Sequence, residues 1–151
     1  MVQVLILSHG ALAHALVDTA ERIVGRLADV QALSLDWDEP REDLLARMRD
    51  VIYSIDEGDG VLILTDLFGD TPSNLALGLV EPGRVEVVTG VNLPMVLRLA
   101  CQGNNPANNP GSNPGGRPST VPELACWIQA KGRQGICLGA AREPALAGGR
   151  G

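Results

Sequence analysis

Apolar and polar positions along this chain follow two rhythms in alternation. Residues 2–7 are a short, mostly apolar run rich in branched side chains, the pattern of a strand buried on both faces. Ser8-His9-Gly10 interrupts it, and from Ala11 onward Leu12, Leu16, Ala20, Ile23 and Leu27 recur at spacings of three and four. That spacing predicts an amphipathic helix with Leu12, Leu16 and Ile23 in the core. Residues 30–35 read as a second strand, diluted by Gln31 and Ser34. Asp38 is placed to cap a second helix with Pro40 in its first turn, and Leu44, Leu45, Met48, Ile52 and Ile55 form its apolar stripe. After the turn cluster at 57–60, residues 61–65 give the clearest strand. The loop at 66–70 leads to a third helix capped by Asp70 or Thr71, ending at Glu81-Pro82-Gly83. A fourth strand at 85–89, a loop at 90–92 and a fourth helix at 93–101 complete the alternation.

Strands that alternate with helices pair in parallel through right-handed crossovers, so the expected fold is α/β. It is an open, mainly parallel four-stranded sheet with helices on both faces. At Gly103 the sequence changes character: Asn105-Pro106, Asn109-Pro110 and Asn113-Pro114 recur within a Gly/Asn/Pro stretch, read as a surface loop insertion over 103–118. Thr120 and Glu123 have capping-box spacing, and Leu124, Trp127 and Ile128 fall on one face of a short helix. Residues 132–135 read as a turn, 136–138 as a short last strand and 140–151 as a flexible tail, so residues 1–139 form a single domain.

Composition narrows the function. The 151 residues carry 12 Lys and Arg against 18 Asp and Glu, a formal net charge of −6, and only 3% are aromatic. An acidic, aromatic-poor chain lacks the positive field and stacking platforms that nucleic acids require. Cys101, Cys126 and Cys137 are an odd set without CxxC spacing, so they read as reduced thiols of a cytoplasmic protein rather than a disulfide framework or zinc site. The first apolar run is too short for a signal peptide or membrane span, so no membrane insertion is expected.

Three predicted strands end in chemically distinctive loops: Ser8-His9-Gly10, Thr65-Asp66 and Thr89-Gly90-Val91-Asn92. In a parallel sheet these lie along one rim, where ligands collect. His9 stands before a helix N-terminus, whose free N–H groups favour an anion, and Gly10 lets backbone approach a ligand. An imidazole there can take a phosphoryl group on one nitrogen if the other holds its proton against an acceptor, and Asp66 is the natural acceptor. Ser8, Thr71, Thr89 and Asn92 are candidate donors to phosphoryl oxygens. The chemistry calls for no metal or cofactor. His14, inside the helical pattern, reads as a surface or packing residue, and Asp36, Asp38, Glu39, Glu42 and Asp43 as a solvated helix start.

Three segments together, VLILSHG at 4–10, LTDLFGDTPSN at 64–74 and TGVNLPM at 89–95, resemble the enzyme IIA component of the mannose family of the bacterial phosphoenolpyruvate:sugar phosphotransferase system. The resemblance covers about residues 1–100, with an echo in KGRQGI at 131–136. It implies that His9 accepts phosphate from the phosphocarrier protein HPr and passes it to a IIB partner, and that Asp66 hydrogen-bonds the imidazole. It also implies a homodimer in which a last strand, here 136–138, is exchanged. Asp70 departs from the family's usual second glycine and is expected to cap a helix, turned away from the phosphoryl group.

Two functions fit these residues: a phosphocarrier feeding sugar transport, and a regulatory phosphoprotein whose histidine phosphorylation controls a protein partner. The phosphotransfer subunit serving dihydroxyacetone kinase shares the fold, but the Gly90-Val91-Asn92-Leu93-Pro94 loop fits the sugar-type group better. A histidine phosphatase would need arginine where Ser8 stands, and a dinucleotide fold would need GxGxxG after the first strand.

Overall fold

The computed structural model describes residues 1–100 and 116–139. Four strands, β1 (Gln3–His9), β2 (Val30–Leu35), β3 (Val61–Thr65) and β4 (Val85–Thr89), form one parallel sheet in the order β2-β1-β3-β4. The helices are α1 (Leu12–Val24), α2 (Arg41–Ile55), α3 (Thr71–Leu77), α4 (Leu93–Leu99) and α5 (Val121–Gln134). The expected open α/β sandwich is what the chain adopts.

The pleat sorts each strand into two cores, which is why β1 and β3 are apolar throughout. Val4, Ile6, Leu62 and Leu64 meet α1, α4 and α5, while Leu5, Leu7, Val61 and Ile63 meet α2 and α3. His9, two residues beyond Leu7, therefore stands on the α2/α3 face, and Ser8 on the other. Chain order reverses between β1 and β3, and this places the ends of those strands at the topological switch point.

Several expectations are corrected. On α1 the fully buried residues are Ala13 and Ala20, whereas Leu12 and Ile23 are 47% and 60% exposed. Small side chains let this helix lie close to the sheet, displacing the larger ones to its flanks. Asp38 does not cap α2, which begins after Pro40 without a side-chain cap. The third helix ends at Leu77, short of Glu81. Residues 132–134, expected as a turn, belong to α5. Their glycine serves close approach, because a Cβ at Gly132 would stand 2.7 Å from the Met95 sulfur on α4. Residues 136–138 form no strand within this chain, and Ile136 and Leu138 are 77% and 79% exposed. Of the expected insertion, 103–115 lies outside the described residues, as do Cys101 and the tail at 140–151. Arg117, inside the span expected as a surface insertion, is instead buried and ion-paired with Asp29.

Candidate functional site

The switch point gathers His9, Asp66 and Asp70. Asp70 is the N-cap of α3: its Oδ1 accepts from the Ser73 backbone N–H at 2.9 Å. The Ser73 hydroxyl accepts from Gly69 N–H at 2.8 Å, and the Asn74 side-chain amide donates to the Gly69 carbonyl at 3.2 Å. These bonds fix the loop. They leave Asp70 Oδ2 facing His9 Nδ1 at 3.5 Å, with only 12% of the Asp70 and 18% of the His9 side chain exposed. Asp66 Oδ1 accepts from Leu67 N–H at 2.9 Å. One donor atom from each of the three residues lies within 4.8 Å of the other two.

The two carboxyls are shifted in opposite directions. Burial, and then its hydrogen bond with Asp70, pushes the Asp66 carboxyl up. Burial acts on Asp70 in the same sense, but hydrogen bonds from Ser73 and Asp66 and the nearness of His9 outweigh it and hold Asp70 low. Of the two, the carboxyl facing the imidazole is therefore the more readily ionised. Asp70 caps its helix as expected, yet it does not turn away. Asp66 reaches the same cluster, but the carboxylate nearest the ring is its neighbour.

The other site residues divide. A cavity of about 570 Å³ over β1 and β2 is lined by His9, Trp37, Arg41, Asp70, Thr71 and Asn74 among others, so Thr71 joins the site. Gly10 has φ 54 and nothing within 4 Å of a Cβ position, so its need for glycine is conformational rather than spatial. Ser8 is buried, its hydroxyl accepting from Ala13 N–H at 2.7 Å at the start of α1. Thr89 is half-buried beside Thr65, at the end of β4. Asn92 is committed elsewhere: its Oδ1 accepts from Met95 N–H at 3.1 Å and its Nδ2 donates to the Gly132 carbonyl at 3.1 Å, tying α4 to α5. His14 is exposed, with its Nδ1 2.9 Å from the Ser34 hydroxyl.

The loop after β2, which showed no such chemistry in the sequence, also contributes. Trp37 stacks on His9 with ring centroids 4.2 Å apart and planes 12° from parallel. Glu39, read as part of a solvated helix start, lines the cavity and pairs with Arg47 at 2.9 Å. Arg41, an exposed cation at the start of α2, lines the same cavity. An aromatic in a polar loop and an arginine in an acidic run carry no local pattern that announces a site; only the fold brings them to His9.

A parallel open sheet with a histidine and two carboxylates at its switch point defines a class, and comparison identifies it. The family described as EIIA-man, PTS system fructose IIA component, matches residues 3–108. The chain belongs to this family and is a IIA component of the sugar phosphotransferase system. The mannose-specific EIIAB component of Escherichia coli (strain K12) is 31% identical over 108 residues, 70% of this chain and 33% of that protein. The match therefore spans about a third of that relative's length. The fructose-specific EIIA component of Bacillus subtilis (strain 168) is 32% identical over 100 residues, covering 66% of this chain and 68% of that one. The solved mannose/sorbose-specific IIA subunit from Enterococcus faecalis aligns over 97% of this chain and 98% of its own, at TM-score 0.73 and 25% identity. No helix among the described residues is long and apolar enough to cross a membrane.

Proposed function

We propose that His9 is the phosphoryl acceptor of a phosphocarrier that takes its group from phospho-HPr and passes it to a IIB component. The observation that carries this reading is the 3.5 Å approach of Asp70 Oδ2 to His9 Nδ1 beside Asp66. A carboxylate there holds the ring proton on Nδ1, leaving the Nε2 lone pair as nucleophile. In the transfer the P–N bond to the HPr imidazole breaks, its electrons return to that ring, and a P–Nε2 bond forms on His9. The same steps in reverse, toward IIB, restore the neutral imidazole. Similar leaving groups on the two sides make the exchange reversible without a metal or cofactor.

Thr71 and Arg41, on the cavity wall, supply a hydroxyl and a positive charge for the phosphoryl oxygens. Gly10 leaves the helix start beside His9 open. Ser8 and Asn92 act by holding α1, α4 and α5 in place. Residues 1–139 work as one domain in the cytoplasm. Exposed Ile136 and Leu138 support a homodimer in which this segment pairs with a second copy. Incubation with phosphoenolpyruvate, enzyme I and HPr is expected to add one acid-labile phosphate, lost in His9→Ala and kept in His14→Ala. Label retained in His9→Ala overturns the assignment. Discharge of the label to a purified IIB supports the transport role, and a phosphoprotein that IIB does not discharge overturns it in favour of a regulatory one.

A further inference from the structure

We propose that His9, Asp66 and Asp70 also form a binding site for a divalent transition-metal ion of the zinc class, and that its occupancy shuts off the phosphoryl acceptor. Asp70 Oδ1 is committed to the helix cap and Asp66 Oδ1 to Leu67 N–H, so each carboxylate keeps one oxygen that accepts from no backbone N–H. One carboxylate oxygen of each and a His9 ring nitrogen lie within 4.8 Å of one another. Two ligands on a tetrahedral zinc, each about 2.0–2.2 Å from the metal, stand roughly 3.4 Å apart. The 3.5 Å between His9 Nδ1 and Asp70 Oδ2 already matches that separation.

Charge and surroundings agree. Two carboxylates and a neutral imidazole cancel a dipositive ion, and a mixed nitrogen and oxygen set suits Zn²⁺, Co²⁺ or Mn²⁺ better than a thiolate-seeking ion. The adjoining cavity leaves room for water at a remaining coordination position. The apolar side chains of Leu35 and Leu44 on its wall lower the local dielectric and strengthen the attraction. A second feature points the same way: the Thr65 hydroxyl is fully buried without a hydrogen-bond partner. It lies on the His9 face of the sheet, in register with Leu7 of β1 and next in sequence to Asp66.

The consequence for phosphorylation rests on the function proposed above. A metal on Nδ1 forces the ring proton onto Nε2, the nitrogen that must attack, so metal and phosphoryl group exclude one another.

Titration of the metal-free full chain with Co²⁺ alone tests the site. One equivalent is expected to bind, with visible bands of a nitrogen and oxygen set and no thiolate charge transfer. Asp70→Asn retains the cap acceptor, and both it and His9→Ala are expected to weaken binding by about 10–100-fold, with circular dichroism unchanged. Absence of saturable binding at millimolar Co²⁺ overturns the site. So does affinity that survives both variants, or a thiolate band that disappears in Cys126→Ser. None of these readouts involves phosphate, so they stand or fall apart from the carrier function. For the exclusion, one equivalent of Zn²⁺ is expected to suppress labelling of this chain while HPr still labels. Equal labelling with and without Zn²⁺ overturns it.

Discussion

At the scale of single residues, the site turns on a carboxylate with two tasks. Asp70 begins α3 with one oxygen and faces His9 with the other. Asparagine keeps the capping acceptor and removes the charge, so Asp70→Asn separates the tasks. Its fold stability is expected to change by less than about 1 kcal/mol, while the phosphorylation rate falls by about 10–100-fold, as when an orienting partner is lost. Asp66→Asn, which leaves the nearer charge in place, is expected to slow labelling less. Stopped-flow transfer from phospho-HPr with both variants checks the order. The sequence marks His9 and Asp66 because each ends an apolar strand, and strand ends are legible from periodicity. It names Asp66 as the partner of His9 and turns Asp70 away, whereas the structure brings Asp70 nearer the ring; both lie in one loop, and its turn at Gly69, with φ 90, is not legible from periodicity. Trp37 was illegible for a different reason: its stacking depends on the register of β2 beside β1, where His9 pairs with Leu35.

At the scale of elements, the strands were the most legible part, because two-sided burial leaves them few polar positions. Helix faces were less so. Periodicity fixes which residues of α1 align but not how deep the helix sits, and alanines at 13 and 20 outcompete Leu12 and Ile23 for the sheet. The turn that starts β3 shows how sequence punctuation becomes geometry. Asp56 Oδ1 accepts from Gly58 and Gly60 N–H at 2.8 and 3.0 Å, and its Oδ2 meets Arg84 at 2.5 Å. Gly60 has φ 86, and a Cβ there would stand 2.4 Å from the Arg84 carbonyl oxygen and 2.7 Å from Val121 Cγ2. Backbone cannot give way as a flexible side chain does, so Gly60→Ala is expected to destabilise by about 2–4 kcal/mol, strain and overpacking together. The urea midpoint measures it. The hydrogen bond from Gly58, then the Arg84 pair, holds the Asp56 carboxyl below its ordinary 3.8 against the opposing effect of burial. A depressed carboxyl contributes stability that is whole above the unfolded value and is lost as pH falls through the folded one. The stability difference between wild type and Asp56→Asn is therefore expected to be constant near neutrality and to shrink below about pH 3.8. Equilibrium unfolding across that range checks the sign.

At the scale of the whole molecule, chemistry and cohesion sit at opposite rims of the sheet. His9 and its carboxylates occupy the rim where β1 and β3 end. The amino-terminal rim is closed by Arg117, which pairs with Asp29 and donates to the Val2 carbonyl at 2.8 Å and the Leu99 carbonyl at 3.3 Å. One guanidinium thus joins the chain before β1, the loop before β2 and the end of α4, with only 3% of its side chain exposed. Nothing in a Gly/Asn/Pro stretch foretells this, because an arginine's partners are set by the closed fold rather than by its neighbours. Removing one member of a buried ion pair leaves the other charged and unpaired, at a cost of about 3–5 kcal/mol. Arg117→Met keeps the apolar stem and is expected to lower Tm by roughly 10 °C for a domain of this size. Replacing both members by apolar residues removes the stranded charge, so adding Asp29→Leu is expected to recover much of the loss. Well below the variant's Tm, the labelling rate of His9 is expected to match wild type, since the rim that carries it loses no contact. A labelling defect that persists in the stabilised double variant would instead mean that the two rims are energetically coupled through the sheet.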